Sequence, residues 1–199
     1  MTCIVGIAEG DIVYMGGDSF GGSEYHYQRV SDPKVFLCEV EIAGQEDTEW
    51  MAVGGSGSFR MLQLLKYALF IPKYDPARQL NEWMVECFAE SCRSLFKERG
   101  LTQIEYDSEE GFAGEFLIGF RGKLYTLQCD FAVFSWADNE HTAGAGEEYA
   151  LGSLHSTKGR IKSPKTRIKI SLDAASSFSP LVVPPYSYVT TEGEDGWLK

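Results

Sequence analysis

The sequence predicts an α+β fold, with strands and helices in blocks rather than in strict alternation. Three observations carry this expectation: paired apolar runs of strand length near the start, two successive stretches of helical periodicity, and a return to strand before two further helices. Blocks of this kind argue for a layered sheet with helices packed outside it and against a doubly wound parallel sheet. At 199 residues the chain suits one domain over 1–199, able to bury a sizeable core, with a polar C-terminal tail from about residue 191 to 199.

The elements follow in order. Residues 3–8 (CIVGIA) and 12–17 (IVYMGG) are apolar and flank the turn-prone Glu9-Gly10-Asp11, which predicts a β-hairpin. The runs 34–42 and 50–54, around a polar loop, extend the sheet. From Ser58 the period changes: Met61, Leu64, Leu65, Ala68 and Leu69 recur at helical spacing behind serines suited to capping. Asp75 and Pro76 read as the cap and first turn of a long second helix, whose apolar stripe runs from Leu80 through Trp83, Phe88, Cys92 and Phe96 to a stop at Gly100.

An acidic loop (105–110) precedes the strands EFLIGF and KLYTLQ, joined at Arg121-Gly122, and FAVFSW continues the sheet. Residues 147–157 predict a third helix, Ser163-Pro164 starts a fourth running to about Phe178, and 186–190 reads as the last strand.

Composition narrows the function. With 29 acidic and 18 basic residues the formal net charge is −11, which repels nucleic acid and anionic membranes and leaves no basic stripe. Cys3, Cys38, Cys87, Cys92 and Cys129 are scattered, without a CxxC pair, which predicts a reducing compartment and no zinc site. No apolar run approaches the roughly 18 residues that would span a bilayer, so a cytoplasmic protein is expected. His26, His141 and His155 lack metal-ligand spacing, and GGSGS lacks the Gly-Lys-Ser/Thr of a phosphate cradle.

The chemistry concentrates at the start. Removal of Met1 would leave Thr2 with a free α-amine and a hydroxyl on one residue. An α-amine titrates near about 7.7–8.0, so such a threonine holds nucleophile and general base together. A fixed cation nearby would keep the amine neutral and stabilise a developing oxyanion. Asp18 stands sixteen residues beyond Thr2 and Lys34 sixteen beyond Asp18, at strand ends that can meet beside residue 2.

TCIVGI, VYMGGDS and SDPKVF together resemble the N-terminal nucleophile hydrolases of the proteasome β-subunit and HslV type, whose Thr, Asp and Lys have this spacing. AVGGSGSFRMLQLL and GAGEEYALGSL resemble that family's glycine-rich turns into its first and third helices, and the likeness covers roughly residues 2–190. It implies a four-layer αββα sandwich, subunits stacked into rings, and amide hydrolysis through an acyl-enzyme ester on Thr2, with Lys34 as electrostatic activator and Asp18 as its partner. No metal or organic cofactor is implied. The resemblance further implies a peptide or protein substrate and an ATP-dependent unfoldase as a candidate partner. The backbone N–H of Gly55, Ser56 or Gly57 would line the oxyanion hole. By the same resemblance Gly21, Asp32 and Phe36 would lie near the substrate pocket.

Two departures from the family pattern stand out. The turn Gly144-Ala145-Gly146 lacks the family's serine, and SSFSP (176–180) lacks the carboxylate of its Asp-x-x-Ser, Asp173 lying a turn too early. These favour a second expectation, a catalytically silent subunit serving assembly. Cys3 is a rival nucleophile that would need two residues removed.

Overall fold

The computed structural model describes residues 2–22, 27–105 and 109–198. Met1, His26 and the centre of the acidic stretch 105–110 lie outside them.

Two five-stranded sheets organise the chain. The first contains β1 (Ile4–Glu9), β2 (Ile12–Gly17), β12 (Glu140–Ala143), β13 (Tyr186–Thr190) and β14 (Asp195–Leu198), in the order β12-β1-β2-β13-β14. The second contains β5 (Val35–Glu41), β6 (Thr48–Gly57), β9 (Gly114–Phe120), β10 (Lys123–Leu127) and β11 (Val133–Ser135), in the order β11-β10-β9-β6-β5. Two small hairpins complete the sheet structure: β3 (Phe20–Gly22) with β4 (Tyr27–Arg29), and β7 (Thr102–Glu105) with β8 (Glu109–Phe112). Among the described residues the ladder pairings are antiparallel, as the hairpin signals predict for β1 with β2 and β9 with β10. Glu9 faces Ile12 across Gly10-Asp11, and Phe120 faces Lys123 across Arg121-Gly122, whose φ values of 50° and 69° are those of a type I′ turn.

The side-chain period of two sends alternate residues of a strand to different partners. In β1, Cys3 and its odd-numbered successors Val5 and Ile7 pack with Ala150, Leu154, Ile168 and Leu172, whereas Ile4 and Ala8 join Val35, Ala52, Leu117 and Leu124 of the second sheet. In β9 the same rule separates Leu117 from Phe116, Ile118 and Phe120, which pack with Met61, Leu65, Trp83, Phe88 and Phe96. One apolar cluster therefore draws on both sheets, and each sheet shares another with a pair of helices.

The helices are α1 (Phe59–Tyr67), α2 (Leu80–Trp83), α3 (Glu90–Glu98), α4 (Glu147–Thr157) and α5 (Pro164–Phe178). Ser58 caps α1 by accepting from the Met61 N–H at 3.4 Å, and Ser163 caps α5 by accepting from Thr166 at 3.2 Å. A π-helical turn, Met84–Ala89, joins α2 to α3 without a break. It accommodates the sequence: Trp83 to Phe88 and Met84 to Ala89 are five-residue steps, which a π turn brings onto one buried face.

Three elements correct the sequence reading. Asp75-Pro76 is a β-turn and not a helix start, because Tyr74 is bridged to Ile42 at the end of β5 and Asp75 accepts from Ala77 N and Arg78 N, both at 2.9 Å. The helix begins only at Leu80. Residues Asp195–Leu198, read as polar tail, are β14, paired with β13 from Tyr186↔Leu198 to Val189↔Asp195. Glu140–Ala143, unassigned from the sequence, is β12 on the open edge of β1. Among the described residues no helix is long and apolar enough to cross a membrane.

Arg167 of α5 ties β12 and α4 together. Its guanidinium meets both carboxylate oxygens of Glu140 at 2.8 Å and donates to the Leu154 carbonyl at 2.7 Å, with both side chains nearly buried. Cutting one partner from such a pair strands a buried charge. Arg167→Ala is expected to cost about 3–5 kcal/mol and to lower Tm by at least roughly 6 °C. Arg167→Met with Glu140→Leu, read by the same thermal melt, is expected to regain most of the loss.

Candidate active site

The first sheet brings Thr2 and Asp18 side by side, because the β1–β2 hairpin pairs Ile4 with Gly17 and so aligns the residues just outside it. Asp18 N–H donates to the Cys3 carbonyl at 3.2 Å, and Cys3 N–H returns a bond to Asp18 Oδ1 at 2.9 Å. Lys34, immediately before β5 of the second sheet, reaches across to the same oxygen, its Nζ 2.9 Å from Asp18 Oδ1. The other carboxylate oxygen accepts from Phe20 N at 2.7 Å, a local turn bond, and from Val183 N at 3.4 Å. Thr2, Asp18 and Lys34 are 3, 1 and 1 % exposed, so all three lie inside the protein.

Burial pulls the Lys34 ammonium below the ordinary lysine range, while the charge of Asp18 and the hydrogen bond to it push back. The rings of Phe20 and Phe59 lie 5.9 and 5.7 Å from Nζ. A small pocket is lined by Thr2, Lys34, Gly55, Gly57, Ser58, Phe59 and Leu62. Thr2 and Lys34 thus share one cavity with the glycine-rich end of β6.

The three backbone donors of that stretch are not equivalent. Gly55 N–H donates to the Lys34 carbonyl at 3.2 Å, continuing the β5–β6 ladder, and is taken up by it. Successive N–H groups point to opposite edges of a strand, so that of Ser56 is directed towards β9 and that of Gly57 returns to the Lys34 side. Gly57 has φ +106° and meets the Gly114 backbone, which leaves no room for a side chain.

The Gly144-Ala145-Gly146 turn closes the other side. Gly146 N–H donates to the Thr2 carbonyl at 3.3 Å, and Gly144 N–H donates to Glu147 Oε2 at 3.2 Å. At Gly144, φ is +97°, and a Cβ would stand 2.5 Å from the Thr2 carbonyl oxygen and 2.7 Å from Ser56 Oγ. Gly144 is needed both for its conformation and for this approach.

Cys3 belongs elsewhere. Its side chain packs under α4 and α5, and burial, reinforced by the charge of Asp18, pushes its thiol well above the ordinary range. Such a thiol is a poor nucleophile. The contribution of Val183 was not foreseen, since it depends on a loop far along the chain that carries no local motif; the 144–146 turn was singled out by its glycines, but not the bond from Gly146 to the Thr2 carbonyl.

A lysine with a lowered folded pKa binds fewer protons folded than unfolded between that value and the ordinary 10.5, so its unfavourable contribution shrinks as pH rises through that window. Asp18→Asn removes the negative charge that most strongly raises Lys34. The variant's stability deficit, measured by urea unfolding, is expected to narrow between about pH 7 and pH 10. A deficit constant over that range would show that Asp18 does not hold the Lys34 charge.

No protein-family model matches the chain, and no curated protein matches it by sequence. Solved structures do match. BPH from Thiobacillus denitrificans, in complex with epoxomicin, superposes with a TM-score of 0.72 at 16 % identity, covering 95 % of this chain and 97 % of that one. HslV from Trypanosoma brucei gives 0.67 at 14 % identity over 95 % and 98 %. Anbu from Pseudomonas aeruginosa, described as a helical assembly, gives 0.67 at 13 % identity over 99 % and 87 %. At these identities the likeness is one of fold, and the fold is that of the proteasome-type N-terminal nucleophile hydrolases.

Proposed function

We propose that this chain is a threonine-type N-terminal nucleophile peptidase or amidase, active on peptide or protein substrates after removal of Met1. The observation that carries the proposal is the fully buried Lys34–Asp18 pair, whose lysine lines one pocket with Thr2. In this reading Thr2 Oγ1 attacks the substrate amide carbon and passes its proton to the Thr2 α-amine, which delivers it to the leaving amine. The carbon–nitrogen bond breaks as the acyl ester on Thr2 forms. Water, deprotonated by the same amine, then releases the acid. Lys34 supplies fixed positive charge beside Oγ1, Asp18 keeps that charge aimed, and Gly57 N–H, on the edge of β6 that faces Lys34, donates to the oxyanion.

Three apolar clusters, one between the sheets and one under each helix pair, support a four-layer αββα arrangement. The helical assembly described for Anbu supports self-association, which we extend to a closed ring. A second reading, an assembly subunit without catalysis, draws on Ala145, which leaves the 144–146 turn without a hydroxyl.

Intact mass before and after exposure to epoxomicin separates the two. The hydrolase reading expects loss of one methionine and a single adduct, absent in Thr2→Ala and formed at least about 10²-fold more slowly in Lys34→Ala. A full-length mass without adduct would mean an assembly protein on a hydrolase fold.

A further inference from the structure

Ser56 entered the sequence reading through its backbone, but its side chain is the part with unspent capacity. Gly54 and Ser56 face the first sheet, because a Cβ on Gly54 would meet Ile4 and Met15 while one on Gly55 would meet Leu62 of α1. Ser56 therefore projects across the gap between the sheets. Its Oγ and the Thr2 carbonyl oxygen lie 2.7 and 2.5 Å from one point, the place a side chain on residue 144 would occupy. Gly144 is thus the small residue that lets this hydroxyl approach the Thr2 main chain. Ser56 Oγ makes no hydrogen bond with another described residue, and Ala145 offers none from the turn.

We propose that Ser56 is a positioning residue for Thr2: its hydroxyl accepts an N–H of the Thr2 α-amine once Met1 is gone, turning the amine lone pair towards Oγ1. This rests on the hydrolase reading of Thr2. Other charged groups around the amine are Asp18 at the end of β2, Lys34 before β5, Glu115 on β9 and Glu147 at the start of α4. Glu115 faces Ser56 in the β6–β9 register, and burial followed by the charge of Glu147 raises its carboxyl pKa. These groups are common to wild type and variant, so a difference between the two belongs to the hydroxyl.

The test uses the full chain released from a cleavable N-terminal fusion so that Thr2 is the first residue. Two quantities are measured across pH for wild type, Ser56→Ala and Ser56→Thr: the rate of epoxomicin adduct formation, and α-amine titration read by competitive acetylation with acetic anhydride. Losing an acceptor that favours the ammonium lowers the amine pKa. Ser56→Ala is expected to react about tenfold more slowly, with its amine titration moved to lower pH, and Ser56→Thr to restore both. An amine titration unchanged in Ser56→Ala, or equal slowing in the alanine and threonine variants, would overturn the proposal. Failure of wild type to form an adduct would sink the hydrolase reading, whereas the acetylation titration would still decide the contact.

Discussion

The Lys34–Asp18 ion pair is the constraint on which this end of the molecule depends. Moving two charges out of water costs several kcal/mol for each ion, and the cost is offset only where geometry and further hydrogen bonds are good. Asp18 meets that condition by accepting from Lys34, Cys3, Phe20 and Val183. Those donors come from the start of β1, the chain after β2, the chain before β5 and the segment before β13. The pair is therefore the point at which both sheets and a late loop are registered against each other.

That registration requires the sheets to come close. A Cβ on Gly54 would fall 2.7 Å from Ile4 Cγ2 and 2.8 Å from Met15 Sδ, and one on Gly16 would fall 2.5 Å from Ile168 Cγ2 of α5. Interiors packed to this density transmit displacement rather than absorb it. Residues that never touch Thr2 thus fix its distance from Lys34, and the site and the inter-sheet core are one mechanical unit. The charge balance differs in kind: the chain carries a net −11, while the charges buried beside Thr2 are one cation and one carboxylate.

What was legible in the sequence was what local chemistry decides. The Arg121-Gly122 hairpin, the serine caps of α1 and α5 and the pairing of β1 with β2 each rest on residues within a few positions of one another. β12 (EHTA) and β14 (DGWL) were not legible, since neither alternates cleanly and each is a strand because an open edge of β1 or β13 is there to pair with. The Asp75-Pro76 signal misled for the same reason: the bridge from Tyr74 to Ile42 outweighs a helix-start preference worth about 1 kcal/mol. At the site, Thr2, Asp18 and Lys34 could be picked out by spacing. Ser56 Oγ beside Thr2 and Val183 N–H on Asp18 could not, because they arise from contacts across sheets or between distant loops, and the loss of Gly55 N–H to the Lys34 carbonyl depends on the register of β5 against β6.

The energetics of the pair also bear on whether the fold serves assembly alone. Replacing a buried ion pair by apolar residues of similar volume is often neutral or stabilising by about 1–4 kcal/mol. A subunit needing only to pack and assemble would be at least as well served by apolar residues at 18 and 34. Gly57 at φ +106° and Gly144 at φ +97° likewise hold the backbone beside Thr2 in conformations that other residues rarely adopt, where a fold under no chemical constraint could use a shorter, stiffer turn. A buried cation, a carboxylate that aims it and two left-handed glycine turns converging on one threonine are costly together for packing. The hydrolase reading proposed for this pocket accounts for that cost.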